Sequence, residues 1–145
     1  MQITNTKQRL TPYDIAQLEQ RLNLVFPADL REFYLRTNGG IPQPDSFEKE
    51  GEFYTIACIR AIVGPKDGLE GSYVTLRAND VLPPNMIPFA DDLNGDYFVY
   101  STAPESFGEI RFLQMDYYDD PERFVVKLAP SLQAFLDSLV DPPEL

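Results

Sequence analysis

Hydrophobic residues recur every three or four positions in three stretches of the chain, and each stretch predicts an amphipathic helix. The first follows Thr11-Pro12, a pair of residues suited to capping and starting a helix, and it should end near Asn23. The second begins at Pro27 and the third at Pro130. The predicted buried stripes are Ile15, Leu18 and Leu22; Leu30, Phe33, Tyr34 and Thr37; and Leu132, Phe135, Leu136 and Leu139.

Asn38-Gly39-Gly40 follows the second helix and predicts the end of its last turn. Asparagine and glycine enter the left-handed backbone region most readily, so Gly39 or Gly40 should have a positive φ. Pro42 then prevents the helix from continuing.

Alternating or continuous apolar runs predict strands at residues 53–63, 85–90, 96–101, 109–115 and 124–128. Gly64-Pro65 and Asp67-Gly68 should end the first, and Asn94-Gly95 predicts a hairpin between the second and third. In the last strand, Phe124, Val126 and Leu128 are expected to face inward. Residues 41–52 contain two prolines and predict a surface loop, whereas residues 69–84 fit either a short helix or an irregular crossing.

The order of these elements predicts an α+β fold, in which a mainly antiparallel sheet is flanked by an N-terminal helix pair and a C-terminal helix. The length of 145 residues suits one domain that spans residues 1–145. The polar N-terminal segment lacks the apolar run of a secretory signal, and no stretch is long enough to span a membrane. A cytoplasmic protein is therefore expected.

The chain contains no histidine and a single cysteine, Cys58. Histidine is the usual general base at neutral pH and the commonest metal ligand, and one cysteine cannot assemble a thiolate cluster. We therefore expect no enzymatic activity, cofactor or metal site, although chemistry that uses only carboxylates or lysine stays open. Asp92-x-Asn94-x-Asp96 has the spacing that opens a calcium loop, but Tyr97 and Ala103 occupy positions that should be glycine and glutamate. This segment fits a hairpin turn better.

The formal net charge of −11 is concentrated in the second half of the chain. Residues 91–122 hold nine acidic residues and one base, Arg111. Such a surface repels nucleic acid and anionic membranes and attracts basic partners. Within it, Asp116-Tyr117-Tyr118-Asp119-Asp120 combines aromatic contact area with charge, although an ordinary connecting loop would also explain the segment. The candidate partner-binding residues are Asp91, Asp92, Asp96, Asp116, Tyr117, Tyr118, Asp119, Asp120 and Glu122.

Four segments in this order resemble the SUKH superfamily, the Smi/Knr-type group: FPADLREFYLRTNGG at 26–40, IPFADDLNGDYFVY at 87–100, GEIRFL at 108–113 and APSLQAFLDSL at 129–139. The resemblance implies a non-enzymatic protein-binding domain. Bacterial members are regarded as immunity proteins that neutralise toxins, often nucleases, and fungal relatives regulate cell-wall synthesis and signalling. The chain lacks tryptophan and long disordered flanks, which favours a compact binder.

We therefore expect an immunity protein that binds a basic toxin domain through an acidic face. The first alternative is an intracellular regulatory or scaffold module of the same fold. The second is a hydrolase that uses carboxylates alone.

Overall fold

The computed structural model describes residues 1–63 and 68–143. The helices are α1 (Pro12–Leu22), α2 (Ala28–Arg36), α3 (Leu69–Ala78), α4 (Pro121–Phe124) and α5 (Leu132–Asp137). The strands are β1 (Gln2–Thr4), β2 (Ile41–Gln43), β3 (Ser46–Lys49), β4 (Glu52–Thr55), β5 (Cys58–Ile59), β6 (Met86–Asp91), β7 (Tyr97–Ser101), β8 (Ile110–Leu113) and β9 (Val125–Ala129).

The predicted α+β fold and its antiparallel meander are confirmed. Strands β5 to β9 form a five-stranded sheet in chain order, and each strand is antiparallel to its neighbours. Strands β1 and β2 form a separate two-stranded sheet, as do β3 and β4. The observed limits of β6 to β9 lie within two residues of the predicted ones.

Helix α1 begins and ends as its sequence predicts. The Thr11 amide and hydroxyl donate to a carboxylate oxygen of Asp14 at 2.8 and 3.0 Å, and the Asp14 amide donates back to the Thr11 hydroxyl at 3.3 Å. This capping box satisfies amides that the first turn leaves without partners. Asn23 ends the helix in the left-handed region, with a φ of 52°.

Helix α2 begins one residue later than expected, because Pro27 caps it and Ala28 is its first residue. The helix also ends before the predicted turn, since Thr37 is already extended, with a φ of −149°. Gly39 and Gly40 both have positive φ, 73° and 117°, which confirms that prediction. They do not close the helix but turn the chain toward β5.

Asn38, between the helix and the two glycines, is buried and holds three segments together. Its side-chain amide donates to the carbonyls of Gln8 and Ile62 at 2.8 and 2.7 Å, and its oxygen accepts from the Ile62 amide at 2.7 Å. Since an unpaired buried amide is costly, these bonds hold the end of α2 beside the segment that follows β5.

The main core lies between one face of the five-stranded sheet and helices α1, α2 and α5. Aromatic side chains dominate its centre. The Phe135 ring of α5 lies 5.3 Å from Phe47 and 6.2 Å from Phe89, and Phe98 lies 4.9 Å from Phe112. The predicted helix stripes are buried in this core, except that Thr37 is only half-buried.

The opposite face of the sheet carries a second, smaller core of Met86, Val99, Leu113 and Phe124. The prediction that Phe124 points inward with Val126 and Leu128 was therefore wrong. Phe124 is the last residue of α4 rather than part of β9, so its side chain packs on the other side of the sheet from Leu128.

Residues 41–52 are not a loop, contrary to the prediction. They contain β2 and β3, and the turn into β4 uses Glu50 and Gly51, both with positive φ. The single strand predicted at 53–63 is divided, because β4 pairs with β3 whereas the Ala57 amide already donates to Asp91 in the main sheet.

Residues 69–84 begin with helix α3, which settles the question left open there. Gly64-Pro65, which the sequence predicts as the end of the strand at 53–63, lies outside the described residues. Asp67 of the other predicted strand end, Asp67-Gly68, also lies outside them.

Candidate functional site

The candidate acidic residues lie at one end of the five-stranded sheet. The turn between β6 and β7 and the connection from β8 to β9 meet there, because Tyr97 of β7 pairs with Leu113 of β8. A side-chain oxygen of Asp96 accepts a hydrogen bond from the Met115 amide at 2.8 Å, which joins the two loops directly. We define the acidic end as Asp91, Asp92, Asp96, Asp116, Asp119, Asp120 and Glu122.

Asp92 shapes the β6–β7 turn. One of its carboxylate oxygens accepts from the amides of Asn94 and Asp96, both at 2.9 Å, and Gly95 takes a φ of 84°. The turn projects Leu93 into solvent with 87% of its surface exposed. Leu93 was not among the predicted site residues, although a large apolar residue inside a predicted turn could have drawn attention to it.

Asp91 has a structural partner, since its carboxylate lies 2.6 Å from the Arg60 guanidinium. Burial raises the pKa of Asp91, Arg60 opposes the rise, and the neighbouring Asp92 adds to it. The net direction is upward because both groups are largely withdrawn from water. Asp91 therefore contributes mainly to the junction between β5 and β6.

The pKa of Asp96 is also raised, first by burial and then by the charges of Asp92 and Asp116, while the bond from the Met115 amide opposes the rise. Asp92 and Asp116 come from different loops. Their shared effect on Asp96 indicates that acids of both loops lie close to one another at the acidic end.

The β8–β9 connection uses one of its acids to start helix α4. Asp120 accepts from the Glu122 amide at 3.1 Å, and its carboxylate lies 3.6 Å from the Arg123 guanidinium. That guanidinium lies 5.4 Å from the centre of the Tyr117 ring. Tyr117 is therefore partly covered, at 38% exposed, whereas Tyr118 is 62% exposed.

The structure divides the seven acids of the acidic end into two groups. Asp91, Asp92, Asp96 and Asp120 hold the loops in place through the bonds given above. Among residues 1–63 and 68–143, the carboxylates of Asp116, Asp119 and Glu122 have neither a hydrogen bond nor an ion pair. These three acids, with Leu93 and Tyr118, are available to a partner.

The turn that has the opening spacing of a calcium loop directs its carboxylates to backbone amides. Within the part of the chain that the structure covers, no group of three or more His, Cys, Asp and Glu side chains is placed to hold a metal ion. The helices of that part include none with the length and apolar character to cross a membrane.

No curated protein sequence matches this chain. The family model of the SMI1/KNR4 family (SUKH-1) matches residues 9–138, which include both loops of the acidic end and all five strands of the main sheet. The chain therefore belongs to the SMI1/KNR4 family (SUKH-1), whose domains act generally in immunity or regulation through protein–protein interaction.

Proposed function

We propose that this protein is an immunity protein that neutralises a basic toxin domain by binding it stoichiometrically through the acidic end. The observation that carries the proposal is the arrangement at that end of the sheet. Three carboxylates without partners in the described structure lie on the β8–β9 connection, which also exposes Tyr118, and Leu93 is exposed on the adjoining β6–β7 turn.

The two kinds of residue would contribute to different stages of binding. Clustered carboxylates raise the rate of encounter with a positively charged partner, and this effect weakens as salt screens the charges. Exposed aromatic and aliphatic side chains bury area after encounter and slow dissociation. A surface that combines both suits rapid and persistent capture of a basic protein.

The chemistry of the acids supports binding rather than catalysis. Asp91 and Asp96, whose pKa values are raised, are held by Arg60 and by the Met115 amide. Neither lines the groove of about 580 Å³ or the smaller groove of about 280 Å³ in this molecule. A pair of carboxylates facing a substrate cleft, which acid–base hydrolysis needs, is not assembled from these two residues.

The test is a charge reversal at the three available acids, Asp116→Lys, Asp119→Lys and Glu122→Lys together. Asp120 stays in place because it caps α4. The probe is a basic toxin domain encoded beside the gene for this protein, with association and dissociation measured by surface plasmon resonance at several salt concentrations. We expect association to slow about tenfold or more at low salt, with a flatter dependence on salt.

The matched control reverses three exposed acids away from the acidic end, Glu32→Lys, Glu105→Lys and Asp141→Lys, so that net charge changes equally. Thermal unfolding of both variants checks that the fold is intact. If the control slows association as much as the test variant does, net charge rather than the acidic end controls binding, and the proposed site is wrong.

A second pair of variants examines the apolar contacts. Leu93→Ala and Tyr118→Ala should raise the dissociation rate and leave association nearly unchanged, whereas Tyr118→Phe should preserve most of the contact. Dissociation rates that do not change in either alanine variant would remove these side chains from the interface.

A further inference from the structure

A second surface lies at the other end of the β6–β7 hairpin. There the turn between α1 and α2 and the connection from α3 to β6 enclose a groove of about 580 Å³. This volume is within the range of small-molecule sites, roughly 300 to 1,000 Å³. The groove lining includes Tyr73, Arg77, Asp80, Leu82 and Met86.

Arg77 lies on the wall of the groove, and no carboxylate of residues 1–63 or 68–143 pairs with it. Its guanidinium donates to the Tyr73 hydroxyl at 2.9 Å and lies 5.3 Å from the centre of the Tyr73 ring. Five other arginines, by contrast, form ion pairs with acids: Arg21, Arg31, Arg60, Arg111 and Arg123. A positioned guanidinium with donors to spare suits the planar, two-oxygen geometry of a carboxylate.

Asp80 also lines the groove, and no ion pair joins it to Arg77 within the described segments. The groove therefore presents two opposite charges that do not neutralise each other. Leu82 and Met86 also line the groove; Met86 belongs to the smaller core and Leu82 packs against it.

The backbone of the groove has an unusual conformation. Asn23, Asp80 and Asn85 all have positive φ, at 52°, 56° and 61°, and all three line the groove. They are half of the six non-glycine residues with positive φ in the described chain. Asparagine and aspartate enter this region more readily than most residues, and here Asn23 ends α1, Asp80 follows α3 and Asn85 precedes β6, so the three residues fix the path of the backbone around the groove.

From these contacts we propose that the groove binds a small zwitterionic ligand of the amino-acid or short-peptide class. Its carboxylate pairs with Arg77, its ammonium group pairs with Asp80, and an apolar side chain lies against Leu82 and Met86. The site is separate from the acidic end, because β6 and β7 run between the two. It does not rest on the proposed toxin binding.

The experiment titrates isotopically labelled protein with the tripeptide Ala-Leu-Ala and records amide chemical shifts by NMR. The same titration is repeated with the N-acetylated tripeptide, with the C-amidated tripeptide and with free leucine. We expect shifts at groove residues such as Leu24, Asn85 and Thr102 and none at Asn94 in the acidic end. Each blocked peptide should bind about tenfold more weakly or worse, since it lacks one charge.

Protein variants then assign each charge to its partner. Arg77→Gln should weaken binding of the free tripeptide and make its affinity equal to that of the amidated form. Asp80→Asn should make the affinity for the free tripeptide equal to that for the acetylated form. Arg77→Lys, which keeps the charge but not the fork, should give an intermediate affinity. Arg9→Gln, an exposed arginine outside the groove, is the matched control, and thermal unfolding confirms that every variant folds.

The order of affinities identifies the source of the ligand. Tighter binding of leucine assigns the groove to free amino acids, and tighter binding of the tripeptide assigns it to peptides. The proposal is overturned if the signals of the groove amides do not shift with either probe at about 10 mM. This concentration is ten times a Kd of about 1 mM. The proposal is equally overturned if Arg77→Gln leaves the affinities for free and amidated peptide unchanged.

Discussion

Gly39 and Gly40 connect helix α2 to the sheet through contacts that tolerate no side chain. A Cβ added at Gly39 would lie 2.9 Å from the Cα of Ala61 and 2.9 Å from the carbonyl oxygen of Ile59. A Cβ at Gly40 would lie 2.5 Å from the Thr4 carbonyl oxygen. Glycine is therefore required at both positions for two reasons: the backbone is left-handed there, and it lies close to a neighbouring strand.

Comparison of two alanine substitutions separates these two reasons. Gly95 also has a positive φ, but nothing lies within 4 Å of the position that its Cβ would occupy. Gly95→Ala should cost about 1 to 2 kcal/mol for the left-handed conformation alone. Gly39→Ala should cost roughly 1 to 3 kcal/mol more, because the added carbon overlaps backbone atoms.

Denaturation in urea gives both free energies of unfolding. Equal losses in the two variants would show that the close approach at Gly39 is relieved by small shifts and that only the dihedral angle matters.

At the scale of the elements, the three predicted helices correspond to α1, α2 and α5 because their signals are local, whereas the sequence leaves α3 open and does not predict the short α4. Thr11-Pro12, the apolar stripe and Asn23 all act within one helix, so the sequence alone determines α1. Strands β2 and β3 were missed because Pro42 and Pro44 favour loops, yet within the described residues β2 pairs with β1 alone and lies outside the main sheet, where proline is tolerated. The pairing of β1 with β2 joins residues far apart in the chain, whereas β3 and β4 form a local hairpin.

The same limit applies to the candidate site. The pattern of acids located the loops, and the antiparallel order of the strands implied that the loops meet. The sequence pattern did not show that Asp96 accepts a hydrogen bond from the Met115 amide or that Asp91 pairs with Arg60. Both contacts depend on the register of paired strands and on the packing around them. Sequence therefore could not separate acids that hold the loops from those that are available.

Glu109 links strands β8 and β9 and predicts how this pairing responds to pH. Its carboxylate accepts from Lys127 at 2.9 Å and from Arg111 at 2.7 Å. The hydrogen bond from Lys127 lowers the pKa of Glu109 most, and the bond from Arg111 lowers it further, from the ordinary value of 4.5. The folded state therefore favours the ionised carboxylate, so its stabilising contribution is present above that value and is lost as pH falls through the lowered pKa.

We expect Glu109→Gln to reduce the free energy of unfolding at neutral pH and to have a progressively smaller effect as pH falls below about 4.5. Lys127→Gln and the double variant complete a mutant cycle, whose coupling energy should shrink over the same range. Urea denaturation at a series of pH values measures all four proteins. A coupling energy that stays constant in acid would mean that the ion pair does not stabilise the strand pair.

For the whole molecule, the net charge of −11 places like charges near one another at the acidic end, at a cost in stability. Asp96 reports this cost because burial and the charges of Asp92 and Asp116 raise its pKa above the ordinary value of 3.8. The folded state therefore favours the protonated carboxyl. Its stabilising contribution is present below that value and is lost as pH rises through the raised pKa.

Asp96→Asn should therefore raise the melting temperature at neutral pH, since an amide oxygen can still accept from the Met115 amide without carrying a charge. The gain should vanish below a pH of about 3.8. Asp92→Asn is the comparison variant, because the Asp92 carboxylate also accepts hydrogen bonds from backbone amides at the same turn. Thermal unfolding across this pH range is the measurement, and a lower melting temperature for Asp96→Asn at neutral pH would contradict the prediction.

The place of Phe135 in the core has a consequence for protein synthesis. Strands β6 to β9 each pair with the strand made just before, so the sheet can grow as the chain leaves the ribosome. The rings of Phe47, Phe89 and Phe98, however, are covered by Phe135, which is synthesised after all of them. The nascent chain therefore exposes an aromatic surface until α5 has left the exit tunnel, and the main core is completed only then.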